Sequence, residues 1–106
     1  MKIIINDKSI NLIEAKSFSK RLIGLMFKKK KIDYAICFPR CASIHTFFMY
    51  QDIDIIMTDQ NDIITEIYKS VKPWKIVRGI GYNTYEFASN TIDENIKIGD
   101  KLKREV

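Results

Sequence analysis

Short apolar runs separated by turn-forming residues recur along most of the 106-residue chain. Two β-branched runs, 2–5 (KIII) and 9–13 (SINLI), flank polar turn formers and predict a hairpin. Further strands are predicted at 33–38, 44–50, 53–58, 62–71, 82–88 and 96–103. Many short strands of this kind are typical of a small β-barrel or β-sandwich, so the predicted fold class is mainly β.

One segment, SFSKRLIGLMF at 17–27, has helical periodicity. Apolar residues recur there at helical spacing and make one stripe, formed by Phe18, Leu22, Leu25 and Met26. At 100° per residue Arg21 lies at the edge of that stripe, so its guanidinium would reach sideways from a partly covered stem. We therefore predict one helix over about 17–27, and a short second helical turn or a tight loop at about 91–95.

Length and composition indicate a single domain, 1–106. An apolar content of 46% and a charged content of 29% are ordinary for a soluble globular protein. No apolar run approaches the ~20 residues that a membrane-spanning helix needs. The first ten residues, MKIIINDKSI, lack the long apolar region of a signal peptide. A cytoplasmic location is the expectation.

The net charge of +5 is concentrated in residues 16–31, which contain seven basic residues and no acidic one. Such a patch could contact phosphate or an acidic partner. The chain is rich in lysine throughout, however, and the run has only Phe27 as an aromatic neighbour and no recognisable RNA-binding motif. A solvated loop is the favoured interpretation, and nucleic-acid binding through 16–31 is the weakest functional hypothesis.

An ordered set of motifs resembles a known family. RLIGLMF, C-x-x-IHTFFM-x-x-x-IDIIMTD, KPW, YEFASNTI and IKIGDKL follow one another as in the domain of unknown function 192 family. The resemblance covers about 14–103 and implies a compact β-barrel or sandwich with a helix near its start, in bacterial and archaeal proteins without an established activity. The signature positions that it marks are Arg21, Gly24, Leu25, Met26, His45, Thr46, Met49, Asp54, Glu86, Gly99 and Asp100.

The predicted hairpin of strands 44–50 and 53–58 arranges most of the candidate site. A two-residue turn between them pairs the single histidine, His45, with Thr58, and Met49 with Asp54. One face then mixes polar and apolar side chains, namely His45, Phe47, Met49, Asp54, Ile56 and Thr58, as in a pocket lining or a half-covered surface. His45 and Asp54 would lie roughly 13 Å apart along the strand, too far for a catalytic pair. Asp54 is expected to accept hydrogen bonds from turn amides or from another element.

Arg21 and Glu86 complete the candidate set. Glu86 shares a strand face with Thr84, whereas Tyr85 and Phe87 take the opposite face. Arg21 could form a partly buried ion pair with Glu86 or with Asp54, joining helix to sheet, and this interpretation is favoured. In the functional alternative Arg21 anchors an anion beside His45 and Glu86 in a shallow pocket.

The two cysteines do not predict a metal site. Cys37, Cys41 and His45 are spaced four residues apart, but Pro39 forbids a helix through them, and an extended chain would span about 26 Å. Both thiols are expected to be free and to pack as small apolar groups. No metal and no cofactor are predicted. The single tryptophan, Trp74, is expected in the core, with a partner contact as the alternative.

The leading hypothesis is a non-enzymatic binding or accessory domain that uses the mixed face around His45, Phe47 and Met49, with Arg21 and Glu86 at its edge. Its partner would be a protein or a small anionic ligand. The alternative is a small-molecule enzyme, a hydrolase or isomerase, with His45 as acid/base and Arg21 as anion anchor. An enzyme predicts a concave pocket that holds His45 beside a second titratable group, and a binding domain predicts a flatter exposed patch.

Overall fold

A computed structural model describes residues 1–5, 7–15 and 28–105. These residues contain nine strands: β1 (Lys2–Ile5), β2 (Lys8–Glu14), β3 (Tyr34–Phe38), β4 (Ser43–His45), β5 (Ile53–Thr58), β6 (Ile64–Val71), β7 (Ile76–Arg78), β8 (Asn83–Ala88) and β9 (Lys103–Glu105). Seven of them form one sheet in the order β6-β5-β8-β3-β2-β1-β9, and β4 pairs with β7 in a second, two-stranded sheet. The mainly-β prediction is confirmed.

The predicted N-terminal hairpin is confirmed, since β1 pairs antiparallel with β2 and places Ile3 opposite Ile10. Its turn contains Asp7 at φ 61°, a left-handed conformation that Asp tolerates better than most residues. The next strand, β3, lies parallel to β2. The helix predicted at 17–27, and Arg21 with it, lie outside the described residues.

The predicted hairpin of 44–50 with 53–58 is wrong. β4 ends at His45 and pairs with β7, where His45 faces Ile76. The chain then makes turns, and β5 pairs with β6 on one side and with β8 on the other. Every residue of β5 is buried because this central strand is covered on both faces, so it has no half-exposed mixed face.

The long sheet curls until its two edges approach each other. Ile63, just before β6, forms a bridge with Lys101, just before β9. The Ile64 amide donates to the Asp100 carbonyl at 2.8 Å, and the Leu102 amide donates to the Asp62 carbonyl at 2.9 Å. The result is a half-barrel that is joined at one end.

Turns, and no helix, connect β8 to β9. At 91–95 the chain forms the tight loop that was the alternative to a helical turn, with the Ile96 amide donating to the Asp93 carbonyl at 3.3 Å. The last strand begins at Lys103 instead of residue 96. Gly99 has φ 98°, a conformation open to glycine, and the chain turns at this residue before it enters β9.

Both faces of the curled sheet are apolar. One cluster is built on side chains such as Ile3, Cys37, Ile56, Tyr85 and Phe87. The other contains Ile36, Phe38, Met49, Ile55, Met57 and Val77. Alternation along β8 sends Tyr85 and Phe87 to the first cluster and Ala88 to the second, as the sequence predicts, and Glu86 shares the face of Ala88.

Candidate functional site

Thr46 joins the loop after β4 to the loop before β7. Its amide donates to the Lys75 carbonyl, and the Lys75 amide donates to the Thr46 hydroxyl, both at 2.8 Å. The same hydroxyl donates to the Lys72 carbonyl at 2.7 Å, and the Trp74 amide donates to the Thr46 carbonyl at 3.0 Å. Thr46 is fully buried, so water does not compete for these bonds, and the two loops are held as one unit.

Three aromatic side chains meet where these loops join. Phe47 stacks on Trp74 with ring centroids 5.7 Å apart and an interplanar angle of 28°. Phe48 meets Trp74 edge-on at 4.8 Å. We call Phe47, Phe48 and Trp74 the aromatic platform. Their contacts have the offset and edge geometries that aromatic pairs favour, so the three rings support one another.

Phe48 and Trp74 are exposed although they sit on strained backbone. Their side chains are 45% and 60% accessible, and their φ angles are 62° and 67°. The left-handed region costs a bulky residue roughly 1–2 kcal/mol. The expectation that Trp74 lies in the core is therefore wrong. Strained conformations persist where the surroundings enforce them, and here the Thr46 hydrogen bonds do so.

His45 lies at the edge of the aromatic platform. Its Nδ1 atom accepts a hydrogen bond from the Phe47 amide at 3.1 Å. The imidazole packs against the Phe47 ring with centroids 4.9 Å apart. Within the described residues no titratable side chain hydrogen-bonds to this ring. The histidine therefore shapes the turn that presents the aromatic side chains.

The structure separates the other candidates from His45 and Phe47. Met49 is buried in the second core cluster. Asp54 is fully buried, and its carboxylate accepts hydrogen bonds from the Ser70 amide at 2.8 Å and the Ile92 amide at 3.0 Å. The prediction that Asp54 binds amides of another element is confirmed. Neither side chain reaches the surface on which Phe48 and Trp74 lie.

Glu86 is a buried carboxyl in the middle of the sheet. Its side chain is 1% exposed, and its Oε1 atom has no hydrogen-bond partner in the described part of the chain. Burial raises the pKa of this carboxyl to about 8, because the apolar surroundings disfavour the charged form. The predicted Arg21–Glu86 ion pair stays a prediction, since Arg21 is outside the described residues.

The tetralysine segment, Lys28–Lys31, lies beside the loop that carries the aromatic platform. The Gln51 side-chain amide donates to the Lys28 carbonyl at 3.1 Å and to the Lys30 carbonyl at 2.8 Å. The Lys29 ammonium is 5.7 Å from the centre of the Tyr50 ring, within the range of a cation–π contact. All four lysines are exposed. The structure thus brings a basic run next to aromatic residues that are about 20 positions away in sequence.

Among the cavities bounded by described residues, three have volumes of about 90, 270 and 610 Å³. The largest is an open depression along the tetralysine segment and the following residues up to Tyr34. His45 lines none of the three. Across the described residues, no three Cys, His, Asp or Glu side chains are grouped to hold a metal ion. Nor does any described helix have the length and apolarity to span a membrane.

The sequence analysis did not predict a polar network around Tyr85, which lies on the face of the sheet opposite to Glu86. The Tyr85 hydroxyl donates to Asp62 Oδ1 at 2.7 Å, and Arg104 Nε lies 3.3 Å from Asp62 Oδ2. Arg104 also donates to Glu14 at 2.9 Å and stacks its guanidinium over the Tyr85 ring. The network members come from distant segments, so no spacing in the sequence signals them. They tie β9 to β2 and β8.

Cys37 lies against this network and is not a reactive thiol. Burial raises the pKa of Cys37 to about 11, with the Tyr85 hydrogen bond opposing the shift. Burial likewise raises the pKa of the Tyr85 hydroxyl. Both groups are protonated at neutral pH, and a protonated thiol is neither a nucleophile nor a metal ligand. Cys41, the other free thiol, donates to the Ser43 carbonyl at 3.1 Å.

Comparison with known proteins identifies the class of this domain. The profile of the domain of unknown function 192 (DUF192) family, described as uncharacterized, matches residues 1–104. The chain belongs to this family. It is 38% identical to the UPF0127 protein PH1112 of Pyrococcus horikoshii, over 84% of this chain and 83% of that protein. A UPF0127 protein of Thermococcus sibiricus is 35% identical over 87% of this chain and 64% of its own length.

Two crystal structures share the fold. A protein of unknown function from Novosphingobium aromaticivorans superimposes with a TM-score of 0.78 at 17% identity, over 97% of this chain and 82% of that one. A Sinorhizobium meliloti protein, named as a proposed transcription regulator, gives a TM-score of 0.81 at 18% identity, over 96% and 89%. At such identities the likeness shows a common fold alone.

Proposed function

We propose that this protein is a non-enzymatic binding domain whose contact surface is the aromatic platform together with His45. One observation carries the proposal: Phe48 and Trp74 are exposed and also occupy the left-handed region of backbone space. The exposed part of each ring adds little to folding, yet the chain bears the cost of the backbone conformation that holds it there. A contact surface accounts for both features.

The energetics of association favour this surface. Aromatic residues supply a large share of the binding energy at protein contact sites. Thr46 fixes the two loops before any partner arrives, so less conformational entropy is lost on binding. The predicted binding residues His45 and Phe47 belong to this surface. Met49, Asp54 and Glu86 are buried and are left out of it.

The enzyme alternative has less support. A general acid/base needs a second group to position it or to receive the proton. The Nδ1 atom of His45 is occupied by the Phe47 amide, and the three cavities described above do not contain this histidine.

The proposal is tested by comparing Gly and Ala at the two strained positions. Phe48→Gly and Trp74→Gly should each be more stable than the matching Ala variant by about 1 kcal/mol, because glycine adopts positive φ without strain. Each Gly variant should also stay within about 1 kcal/mol of the wild type. Urea unfolding followed by circular dichroism measures this, since Trp74→Gly removes the single tryptophan.

Ile80 provides the matched control. Its side chain is 88% exposed and its φ is not positive, so Ile80→Gly should be less stable than Ile80→Ala by roughly 0.5–1 kcal/mol. If Phe48→Gly and Trp74→Gly each lose more than about 2 kcal/mol, the rings are needed for folding and the proposed contact surface is rejected.

A further inference from the structure

We propose, resting on the function proposed above, that the aromatic platform binds single-stranded nucleic acid, with bases stacked on its rings and phosphates held by the tetralysine segment. Two independent features meet at this place. One is a set of exposed rings on a rigid support, and the other is a run of exposed lysines. Proteins that bind single strands combine these features, a basic track for the backbone and aromatic side chains for the bases.

The first step is the connection between the two features. Gln51 makes two hydrogen bonds to the tetralysine segment, because its amide group donates to the Lys28 and Lys30 carbonyls. A third bond holds the residue after the segment, since the Gln51 Oε1 accepts from the Ile32 amide at 3.3 Å. Gln51 follows Tyr50 directly and Phe48 by three positions. The lysines are therefore anchored at the end of the loop that carries two exposed aromatic rings.

The second step is charge. Lys28–Lys31 form no ion pair with another described residue, whereas Lys72 is paired with Asp52 at 2.8 Å. The open depression along the segment has four lysines and one acidic residue, Asp33, in its lining. An anionic polymer is the occupant that complements this surface, because each phosphate can displace water and counterions from a lysine.

The third step is stacking, which separates a nucleic acid from other polyanions. Tyr50 is 58% exposed, with the Lys29 ammonium over its ring, and Trp74 is 60% exposed, so each ring offers exposed surface to an unpaired base. A duplex hides its base faces, and an acidic peptide offers few flat rings. The sequence alone disfavours nucleic acid because the lysine run has no aromatic neighbours except Phe27. The fold supplies such a neighbour in Tyr50, whose ring centre lies 5.7 Å from the Lys29 ammonium and which is two positions from Phe48.

Trp74 is the single tryptophan, so its fluorescence reports on the platform directly. We would titrate the full chain with a 12-nucleotide oligo(dT) and with oligo(U) at several salt concentrations. The expected result is saturable quenching by at least one of them, with affinity that falls steeply as salt rises. Absence of binding to both at low salt overturns the inference. The Gly and Ala comparison above still decides the proposed function in that case.

Matched variants separate the two contributions. Lys29→Gln/Lys30→Gln should lower the slope of log affinity against log salt by about 1.4, or about 0.7 per lysine. Lys97→Gln/Lys101→Gln, which removes two exposed lysines elsewhere, should leave that slope unchanged. Tyr50→Ala should weaken binding at least about fivefold. Tyr82→Ala, which removes an exposed aromatic residue that does not contact the tetralysine segment, should not.

Two further polyanions, polyglutamate and heparin, test whether the surface binds something other than single-stranded nucleic acid. Equal quenching by polyglutamate would show that the surface takes acidic protein, so the inference fails and the contact surface stands. Oligonucleotide binding that is matched by heparin and unaffected by Tyr50→Ala or Phe48→Gly would show that only the lysines bind. That result overturns the inference, and the Gly and Ala comparison still decides the proposed function.

Discussion

Thr46 and Lys75, 29 residues apart in sequence, hydrogen-bond to each other in both directions at 2.8 Å. Lys75 accepts from the Thr46 amide and donates its own amide to the Thr46 hydroxyl. This pair, together with the Thr46–Lys72 bond, fixes the relative position of the loops that present Phe48 and Trp74. The surface is thus built on one buried side chain that does not itself reach solvent.

Thr46→Val should destabilise the protein by about 1–3 kcal/mol, because the isosteric methyl leaves the Lys72 carbonyl and the Lys75 amide without this buried partner. Urea unfolding measures the loss. The emission maximum of native Trp74 should shift as well, since its loop depends on the same bonds. Thr46→Ser is the control and should retain most of the stability. Equal losses in both variants would assign the effect to packing instead of hydrogen bonding.

Glu86→Gln should remove a pH dependence of stability. The folded-state pKa of Glu86 is raised to about 8 from an ordinary value of 4.5, so between these values the folded protein holds a proton that the unfolded chain releases. The stability that this proton supplies is complete below pH 4.5 and is lost as pH rises through 8. The loss is on the order of 5 kcal/mol, from a rise of the pKa from 4.5 to about 8. Glu86→Gln has no carboxyl at this position, so its stability should not fall over this pH range.

Urea unfolding from pH 4.5 to 9 tests this difference between wild type and Glu86→Gln. The two proteins should be similar near pH 4.5, and the variant should be the more stable one near pH 8. The predicted Arg21–Glu86 ion pair makes the opposite prediction. An ionised, paired Glu86 gains stability as pH rises, and Glu86→Gln would then be the weaker protein at neutral pH.

Tyr85→Phe and Asp62→Asn should be coupled. Each change weakens the 2.7 Å bond between the two side chains, so the double variant should lose less stability than the sum of the single losses, by about 0.5–2 kcal/mol. Urea unfolding of the four proteins gives the coupling. Asp52→Asn is the control carboxylate, since its partner Lys72 is largely exposed, and it should cost less than about 1 kcal/mol. Additive losses would mean that Tyr85 and Asp62 act independently.

The spacing of apolar residues was sufficient to predict strand pairing where the two strands follow each other directly in the sequence. The β1–β2 hairpin follows from two β-branched runs around Asp7, and the alternation of β8 follows from period-two spacing between Glu86 and its neighbours. The positions of β3, β5 and β6 were predicted to within a few residues. The amide-binding role of Asp54 was also predictable, because a buried carboxylate needs donors.

Hydrogen bonds between residues far apart in sequence determine the strand pairings that the spacing of apolar residues does not predict. Apolar runs on both sides of Gln51 resemble a hairpin, but the bonds of Thr46 to the loop before β7 turn the chain away after His45 and give β4 a different partner. The exposure of Trp74 has the same origin. A tryptophan between Pro73 and Lys75 carries no local sign of whether its loop will be buried or held outward.

The amino-acid sequence by itself determined the family, the mainly-β class and most of the strands, because these depend on residue order and short-range periodicity. The tertiary structure decided which strands pair, which candidates remain at the surface, and that the tetralysine segment meets an aromatic loop. Those properties depend on contacts between residues tens of positions apart, such as Gln51 with Lys30 and Thr46 with Lys75. No local pattern encodes which distant backbone groups a side chain will bind.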